Sequence, residues 1–312
     1  TARETKMDLI MREMQVLIPV NMDQEEVGHT FENYNLTSAG VVDKNNKLVG
    51  MITSDDILTV VKEEVEEESV TLFVPCLNEE RNVGLTVDNI VQVMRDFRFP
   101  YEIIVVDDAS SDGTVREALE RIERYPDVRF NLIRNRFCRG LGRNYFIAAQ
   151  RASCENFMLV NGDAAEPSEA IASILSHVGE ADAVVPYFGL SETRTIPRRI
   201  LSRTFTFLVN LLSGHDIRYY NGPVLHKTDN VRMWFAETAG FGYQAELLCR
   251  LLDEGISVVE VQVANSDRER GASKAFTIPN LLSVANTLFH IFLRRMQRVA
   301  FRMLTPPGTS AR

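Results

Sequence analysis

The chain has 312 residues, 45% of them hydrophobic and 25% charged, which excludes long disorder, collagen and a disulfide-rich miniprotein. Its net charge of −9 lies wholly in the first 68 residues, which hold 6 basic and 15 acidic side chains against 28 of each in the remainder. That asymmetry marks two segments of different character, and without a domain-wide basic field nucleic acid is excluded as the main partner.

Residues 13–20 (EMQVLIPV) predict a strand. Asp23, with Glu26 three residues on, predicts a helix start running to about Asn33. Ser38–Asp43 and Leu48–Ile52, joined by Lys44-Asn45-Asn46-Lys47, predict a hairpin. Thr53-Ser54-Asp55-Asp56 predicts the cap of a further helix, which ends in the acidic run 63–68. The segment LTSAGVVDKNNKLVGMITSDDIL resembles a CBS domain, and with the trailing VVKEEVEEE it is most similar to the second such domain of CBS-containing magnesium transporters. The resemblance covers about residues 7–68. It implies an adenosine-nucleotide role for Thr53 and Asp56, against the plainer reading that both cap a helix. A single unit of a type that works in pairs implies a homodimer through that unit, or a fusion segment.

From Ser69 onward, strands alternate with helices. Val70–Pro75, Tyr101–Asp107, Val128–Arg134 and Phe157–Val160 predict continuous apolar strands. Helices are predicted from Asn78–Asn82 to Phe97, from Thr114 to Glu123 and from Gly142 to Ala152. This pattern predicts an α/β fold with a mostly parallel sheet covered on both faces, and a ligand beyond the carboxyl ends of the strands. Those ends read PCLNEE (75–80), DDASSDGT (107–114) and NGD (161–163), so three strand ends bring carboxylates to one rim. Clustered carboxylates call for a cation or for hydrogen-bond donors. Asp112, before Gly113 and Thr114, is expected to cap a helix as well. A P-loop is excluded by the lack of its motif, and Gly140-Leu141-Gly142 has Tyr145 where a dinucleotide fingerprint needs its third glycine.

The pattern P-x-x-N-E followed by V-V-D-D-x-S-x-D-G-T resembles the family-2 inverting glycosyltransferases, which have an A-type, Rossmann-like fold. The resemblance spans about residues 69–275. PRRILSR (197–203), YNG (220–222), FGYQAELLCRLLDEG (241–255) and RERGASK (268–274) are most similar to the dolichyl-phosphate mannosyltransferase and polyprenyl-phosphate glycosyltransferase branch. The resemblance implies a nucleotide diphosphate-sugar donor held by Pro75, Asn78, Glu79, Asp107 and, less directly, Asp108. It implies a Mg2+ or Mn2+ cofactor at Asp163, the second Asp of a D-x-D motif, and phosphate contacts from Arg268, Ser273 and Lys274. Gly140 is expected to let the next helix N-terminus approach the ligand.

Three positions depart from the pattern: Asn161 replaces the first Asp of D-x-D, Ala165 a further polar ligand, and Arg218 an acidic residue four before Gly222. Asn161 still offers a neutral oxygen to the metal, so altered metal use is expected. Transfer to a hydroxyl needs a general base, for which Glu246 is the candidate. A phosphate acceptor is already anionic near neutral pH and needs none. Arg198, Arg199, Arg203, Arg268 and Lys274 suit such an acceptor. The expected reaction is therefore inverting transfer to a polyprenyl phosphate, with a hydroxyl acceptor or a non-catalytic nucleotide sensor as alternatives.

Residues 276–312 contain no acidic side chain but carry Arg294, Arg295, Arg298, Arg302 and Arg312. They predict an amphipathic helix on a membrane surface, or one packed on the domain. Phe205, Phe207, Leu208, Leu211 and Leu212 predict another apolar helix face, either core or membrane-facing. The N-terminus is polar, no uninterrupted apolar run is long enough to span a bilayer, and the four cysteines have no metal or disulfide spacing. The expected location is cytoplasmic, peripheral at the inner face of the membrane.

Overall fold

The computed structural model describes residues 16–22, 27, 30, 31, 34, 36–54, 68–189, 195–234, 242–264 and 278–304, the last helix with side chains over 282–301. The chain divides into two compact units, Thr1–Glu67 and Glu68–Arg312.

The first unit has a three-stranded sheet of order β1 (Leu17–Pro19), β2 (Ser38–Val42) and β3 (Leu48–Thr53). The first pair is parallel and the second is the expected hairpin. Its turn forms because Asp43 Oδ1 accepts the backbone N–H groups of Asn45 (2.8 Å) and Lys47 (2.9 Å), while Asn46 takes φ 58°. Ile18, Val27, Phe31 and Ala39 form its core. Asp23, Glu26, Asp55, Asp56 and the acidic run to Glu67 lie outside the described residues.

The second unit is a seven-stranded sheet with helices on both faces. Its strands are β4 (Val70–Cys76), β5 (Tyr101–Asp107), β6 (Arg129–Arg134), β7 (Asn156–Leu159), β8 (Ala183–Phe188), β9 (Leu225–Lys227) and β10 (Val258–Val263). The order is β10-β8-β9-β7-β4-β5-β6. β9 is antiparallel to both neighbours and every other pairing is parallel. The helices are α1 (Val83–Met94), α2 (Thr114–Arg124), α3 (Leu141–Arg151), α4 (Ser168–Leu175), α5 (Ile196–Ser213), α6 (Thr228–Arg232), α7 (Tyr243–Glu254) and α8 (Ile278–Leu304).

The unbroken apolar runs of β4 and β5 follow from burial on both faces. Val70, Leu72 and Val74 of β4 join Val83, Val87 and Ile90 of α1 in one core. Phe73 points to the other face, where its ring lies 5.9 Å from both Tyr145 and Phe157. The chain moves from β4 to β5 and β6 on one side, then crosses to β7 on the other. That reversal opens a crevice outside the carboxyl ends of β4 and β7.

His226 of β9 is buried beside the central strands, and its Nδ1 has no hydrogen-bond partner among the described residues. Burial pushes its imidazole pKa down to about 4. The unfolded chain binds this proton near pH 6.5 and the folded chain only near 4. Stability from this site is therefore complete above pH 6.5 and is lost as pH falls toward 4. His226→Leu is expected to flatten the melting temperature against pH over that window. An unchanged acid limb would refute the assignment.

Candidate functional site

Three loops leave the carboxyl ends of β4, β5 and β7, and the first two are stitched together. The Asn78 N–H donates to Ser110 Oγ (2.9 Å), that of Glu79 to Thr114 Oγ1 (2.8 Å), and that of Glu80 to Asp112 Oδ2 (3.2 Å). In return, Asn78 Oδ1 accepts the Ser111 N–H at 2.8 Å. Asn78 sits at φ 60° and Ala109 at 66°. A left-handed alanine is strained, and such strain gathers at ligand sites. Asp112 precedes Gly113, the N-cap of α2, and its Oδ1 accepts the N–H of Thr114, the helix's first residue, at 3.0 Å.

Asp107, the last residue of β5, is buried and accepts the Ser110 N–H through Oδ1 at 3.3 Å. Asp108 faces the following loop instead. It accepts from Asn135 Nδ2 (2.8 Å), Arg139 N (2.8 Å), Gly140 N (2.9 Å) and Cys138 Sγ (3.1 Å). Burial opposes its ionisation, but hydrogen bonds from Asn144, Arg139, Cys138 and Gly140 win and hold its carboxyl below the usual range. Asp108 thus organises residues 135–140 and sets the start of α3, where Gly140 takes φ 87°. Asn78 and Asp108 both hold neighbouring loops, and sequence spacing carries no trace of those partners.

The third loop approaches the first at close range. A Cβ on Gly162 would lie 2.5 Å from the Pro75 carbonyl oxygen and 2.8 Å from Cys76 Sγ. Burial, reinforced by the charges of Glu79, Asp107, Asp112 and Asp163, pushes the Cys76 thiol pKa far up. One thiol therefore senses four carboxylates drawn from all three loops. Thr86 of α1 ties the third loop down, donating to the Asn161 carbonyl (3.3 Å) and accepting the N–H of Ala164 (3.1 Å).

Asp163 Oδ1 accepts the Ala165 N–H at 3.2 Å. Asn161 donates twice to Glu166: its side-chain Nδ2 to Oε1 at 2.5 Å and its backbone N–H to Oε2 at 3.1 Å. Burial, and then the charge of Asp163, push the Glu166 carboxyl up to about 7 against the hydrogen bonds of Asn161. Sequence reasoning passed over Glu166, because a glutamate beside Pro167 carries no periodic or motif signal of its own.

The donor set fits a hard dication only in part. Asp163 is a hard anionic ligand and Asn161 offers a neutral oxygen, but among the described residues no three His, Cys, Asp or Glu side chains surround a cation position. Mg2+ characteristically takes one or two carboxylates and completes its shell with phosphate and water oxygens, and the loop suits that pattern.

Glu246 is 2% exposed on α7, and its Oε1 meets Arg250 Nη2 at 2.9 Å. Arg218 stacks on the Tyr187 ring at 4.5 Å and approaches Glu260 at 3.8 Å. Arg198 and Arg203 are exposed on the first turns of α5, and Arg199 lies between them. Arg268, Ser273 and Lys274 lie outside the described residues.

The C-terminal helix departs from the free-cation picture. Arg294 and Arg298 both bind Asp253 of α7, Arg294 at 3.0 Å, and Arg295 donates to the Leu211 carbonyl at 2.6 Å. These three arginines fasten α8 to the domain. Leu282, Phe289, Met296 and Phe301 of α8 are exposed, as are Ile196, Ile200, Phe207 and Leu211 of α5. The apolar face expected near 205–212 is divided: Phe205 is core, whereas Phe207 and Leu211 face outward.

Comparison with known proteins gives two family matches, Glycosyl transferase family 2 over residues 71–232 and the CBS domain over residues 7–63. The polyprenol monophosphomannose synthase of Mycolicibacterium smegmatis is 30% identical over 218 residues, covering 65% of this chain and 79% of that protein. The undecaprenyl-phosphate mannosyltransferase of Micrococcus luteus is 26% identical, covering 66% and 86%. The undecaprenyl-phosphate 4-deoxy-4-formamido-L-arabinose transferase of Pectobacterium carotovorum is 23% identical, and the chain spans 62% of its length. Among solved structures, glucosyl-3-phosphoglycerate synthase from Mycobacterium tuberculosis in complex with UDP superposes with a TM-score of 0.56 at 14% identity, covering 77% of this chain and 84% of that one. The same enzyme with Mn2+, UDP and glucosyl-3-phosphoglycerate gives 0.53 at 14% identity, covering 73% and 80%. These structures share the fold.

Proposed function

The chain belongs to glycosyl transferase family 2 and carries a CBS domain, and on that premise we propose that it moves a sugar, with inversion, from a nucleotide diphosphate-sugar to a polyprenyl phosphate at a membrane surface. The observation that carries this reading is the meeting of three strand-end loops at the crevice where the strand order reverses: the loops after β4 and β5 are hydrogen-bonded together, and Gly162 of the loop after β7 closes on Pro75 and Cys76. Asp107 would accept from the donor's base or ribose. Asp163, with the oxygen of Asn161, would hold Mg2+ or Mn2+, which when bound neutralises charge on the leaving diphosphate. Arg268, Ser273 and Lys274 would contact phosphate groups.

The burial and ion pairing of Glu246 favour the phosphate acceptor over a hydroxyl. A carboxylate locked to Arg250 is a poor base, and a phosphate monoester, with a second pKa of about 6, needs no base at neutral pH. Relatives named for polyprenol and undecaprenyl-phosphate substrates support the same choice.

The decisive assay incubates the protein with UDP- and GDP-sugars and a short polyprenyl phosphate, with Mg2+, with Mn2+ and with EDTA. Metal-dependent lipid-linked product from one donor is expected. Tight nucleotide binding without turnover across the panel would favour a sensor instead.

The exposed apolar stripes of α5 and α8, two helices that pack together, support a peripheral membrane position, and Arg198 and Arg203 beside them suit anionic headgroups. No helix among the described residues is long and apolar enough to cross a bilayer. Co-sedimentation with vesicles containing anionic lipid is expected, and should be lost in Phe207→Asp/Phe289→Asp. Equal binding by the variant would exclude these faces. In the CBS unit, exposed Leu48, Val49 and Met51 of β3 support pairing with a second copy, which sedimentation velocity on the whole chain would show as a dimer.

A further inference from the structure

We propose that Asn161 and Glu166 act as one unit in which the second negative charge of the cation–diphosphate site, absent at position 161, is supplied by Glu166. The inference rests on the proposed nucleotide-sugar site and adds to it a residue that positions Asn161.

Both Glu166 carboxylate oxygens are engaged by Asn161, Oε1 by the side-chain amide at 2.5 Å and Oε2 by the backbone N–H at 3.1 Å. With Glu166 ionised, this two-point contact sets the sense of the amide: Nδ2 faces Glu166, so Oδ1 lies on the opposite side of the amide group. An aspartate at 161 would set carboxylate against carboxylate at that same contact, a repulsive pair in a partly buried turn. Position 161 must therefore be a donor while position 166 is ionised. With Glu166 ionised, the loop's Asn161, Asp163 and Glu166 carry two negative charges, the same number as two aspartates with a neutral residue at 166. The charge is moved along the chain, and Asn161 is a matched half of a pair rather than a decayed ligand. Thr86 reinforces the arrangement, holding the Asn161 carbonyl on one side and the Ala164 N–H on the other.

The pairing can be inverted on paper. In Asn161→Asp/Glu166→Gln, the new amide at position 166 would donate to the new carboxylate at position 161, while its carbonyl oxygen accepts the backbone N–H of 161. Both original hydrogen bonds survive with the charge at 161. Neither single variant can do this: Asn161→Asp leaves two facing carboxylates, and Glu166→Gln leaves one charge too few.

The test is a double-mutant cycle on the full chain with two readouts. Mn2+ binding is followed by EPR in the presence of UDP and, in parallel, of GDP, and the thermal midpoint is measured in EDTA. Each single variant is expected to weaken Mn2+ binding about tenfold, and Asn161→Asp to lower the midpoint, with the double variant returning close to wild type on both readouts. Tighter Mn2+ binding by Asn161→Asp alone, or additive losses in the double variant, would overturn the proposal. So would Glu166→Gln that loses stability yet binds Mn2+ like wild type, because Glu166 would then be a turn residue only. Wild-type protein that binds no Mn2+ with either nucleotide overturns it too. Wild-type protein that binds Mn2+ with a nucleotide, gives the inverted cycle and yet transfers no sugar would sink the transferase reading and leave the pair standing.

Discussion

Asp253→Ala is expected to lower the thermal midpoint of the second unit by roughly 10 °C, the equivalent of about 3–5 kcal/mol for removing one partner of a buried ion cluster in a domain of this size. Asp253 is 5% exposed, near the carboxyl end of α7, where the helix dipole disfavours a negative charge. It is held by three basic partners: Arg294 at 3.0 Å, Arg298, and His215 Nε2 at 2.6 Å. Burial lowers the Arg294 pKa from its ordinary value, so this guanidinium depends on its counterion. Removing Asp253 leaves two arginines on the inner face of α8 without the carboxylate they share. Arg295 and Arg298, which reach the Leu211 and Ser213 carbonyls at the end of α5, cannot compensate for charge. A midpoint within about 2 °C of wild type would show that the cluster contributes little, as exposed ion pairs do.

The half of the fold that was legible in the sequence is the half built around continuous apolar strands. β4, β5 and β7 are buried on both faces, so their apolar runs stand out against polar loops. The far half was not legible, for separate reasons. β8 contains Pro186, which argues against a strand; the structure tolerates it because β9 pairs with β8 only at Ala183 and Val184 and has ended before Pro186. β9 is three residues long, too short for a pattern, and β10 (VVEVQV) alternates as an edge strand does. At the site, the acidic residues of the rim were visible because strand ends are where such sheets place ligands. What Asn78, Asp108 and Asn161 do with their side chains was not, because each choice depends on a loop brought close only by folding. The arginines of α8 make the same point. Counted along the chain they look like a basic surface, yet three of them are tied to a carboxylate and a carbonyl of other helices.

Gly162→Ala is expected to cut sugar transfer at least about 100-fold while costing about 1–3 kcal/mol of stability, because the added methyl forces apart two strand ends that must stay in register. The new Cβ would lie 2.5 Å from the Pro75 carbonyl oxygen and 2.8 Å from Cys76 Sγ. Neither neighbour can yield easily. Pro75 is backbone inside β4, paired with Val106 of β5, and Cys76 is 2% exposed in the core. The remaining freedom lies in the third loop, which must back away from β4. Asn161, Asp163 and Glu166 would move with it, and the Thr86 contacts to Asn161 and Ala164 would lengthen. A shift of about 1 Å is enough for the predicted loss, since a reacting group held that far off line forfeits most of the benefit of positioning. The comparison that isolates the effect is Ala164→Gly, two residues on in the same loop. Ala164 sits at φ 56°, so glycine there relieves strain and should stabilise the protein slightly. If Gly162→Ala proves as active as wild type, the close approach of the third loop to β4 does not set the position of Asp163. If both variants lose activity alike, general loosening of the loop is the cause rather than its displacement from β4.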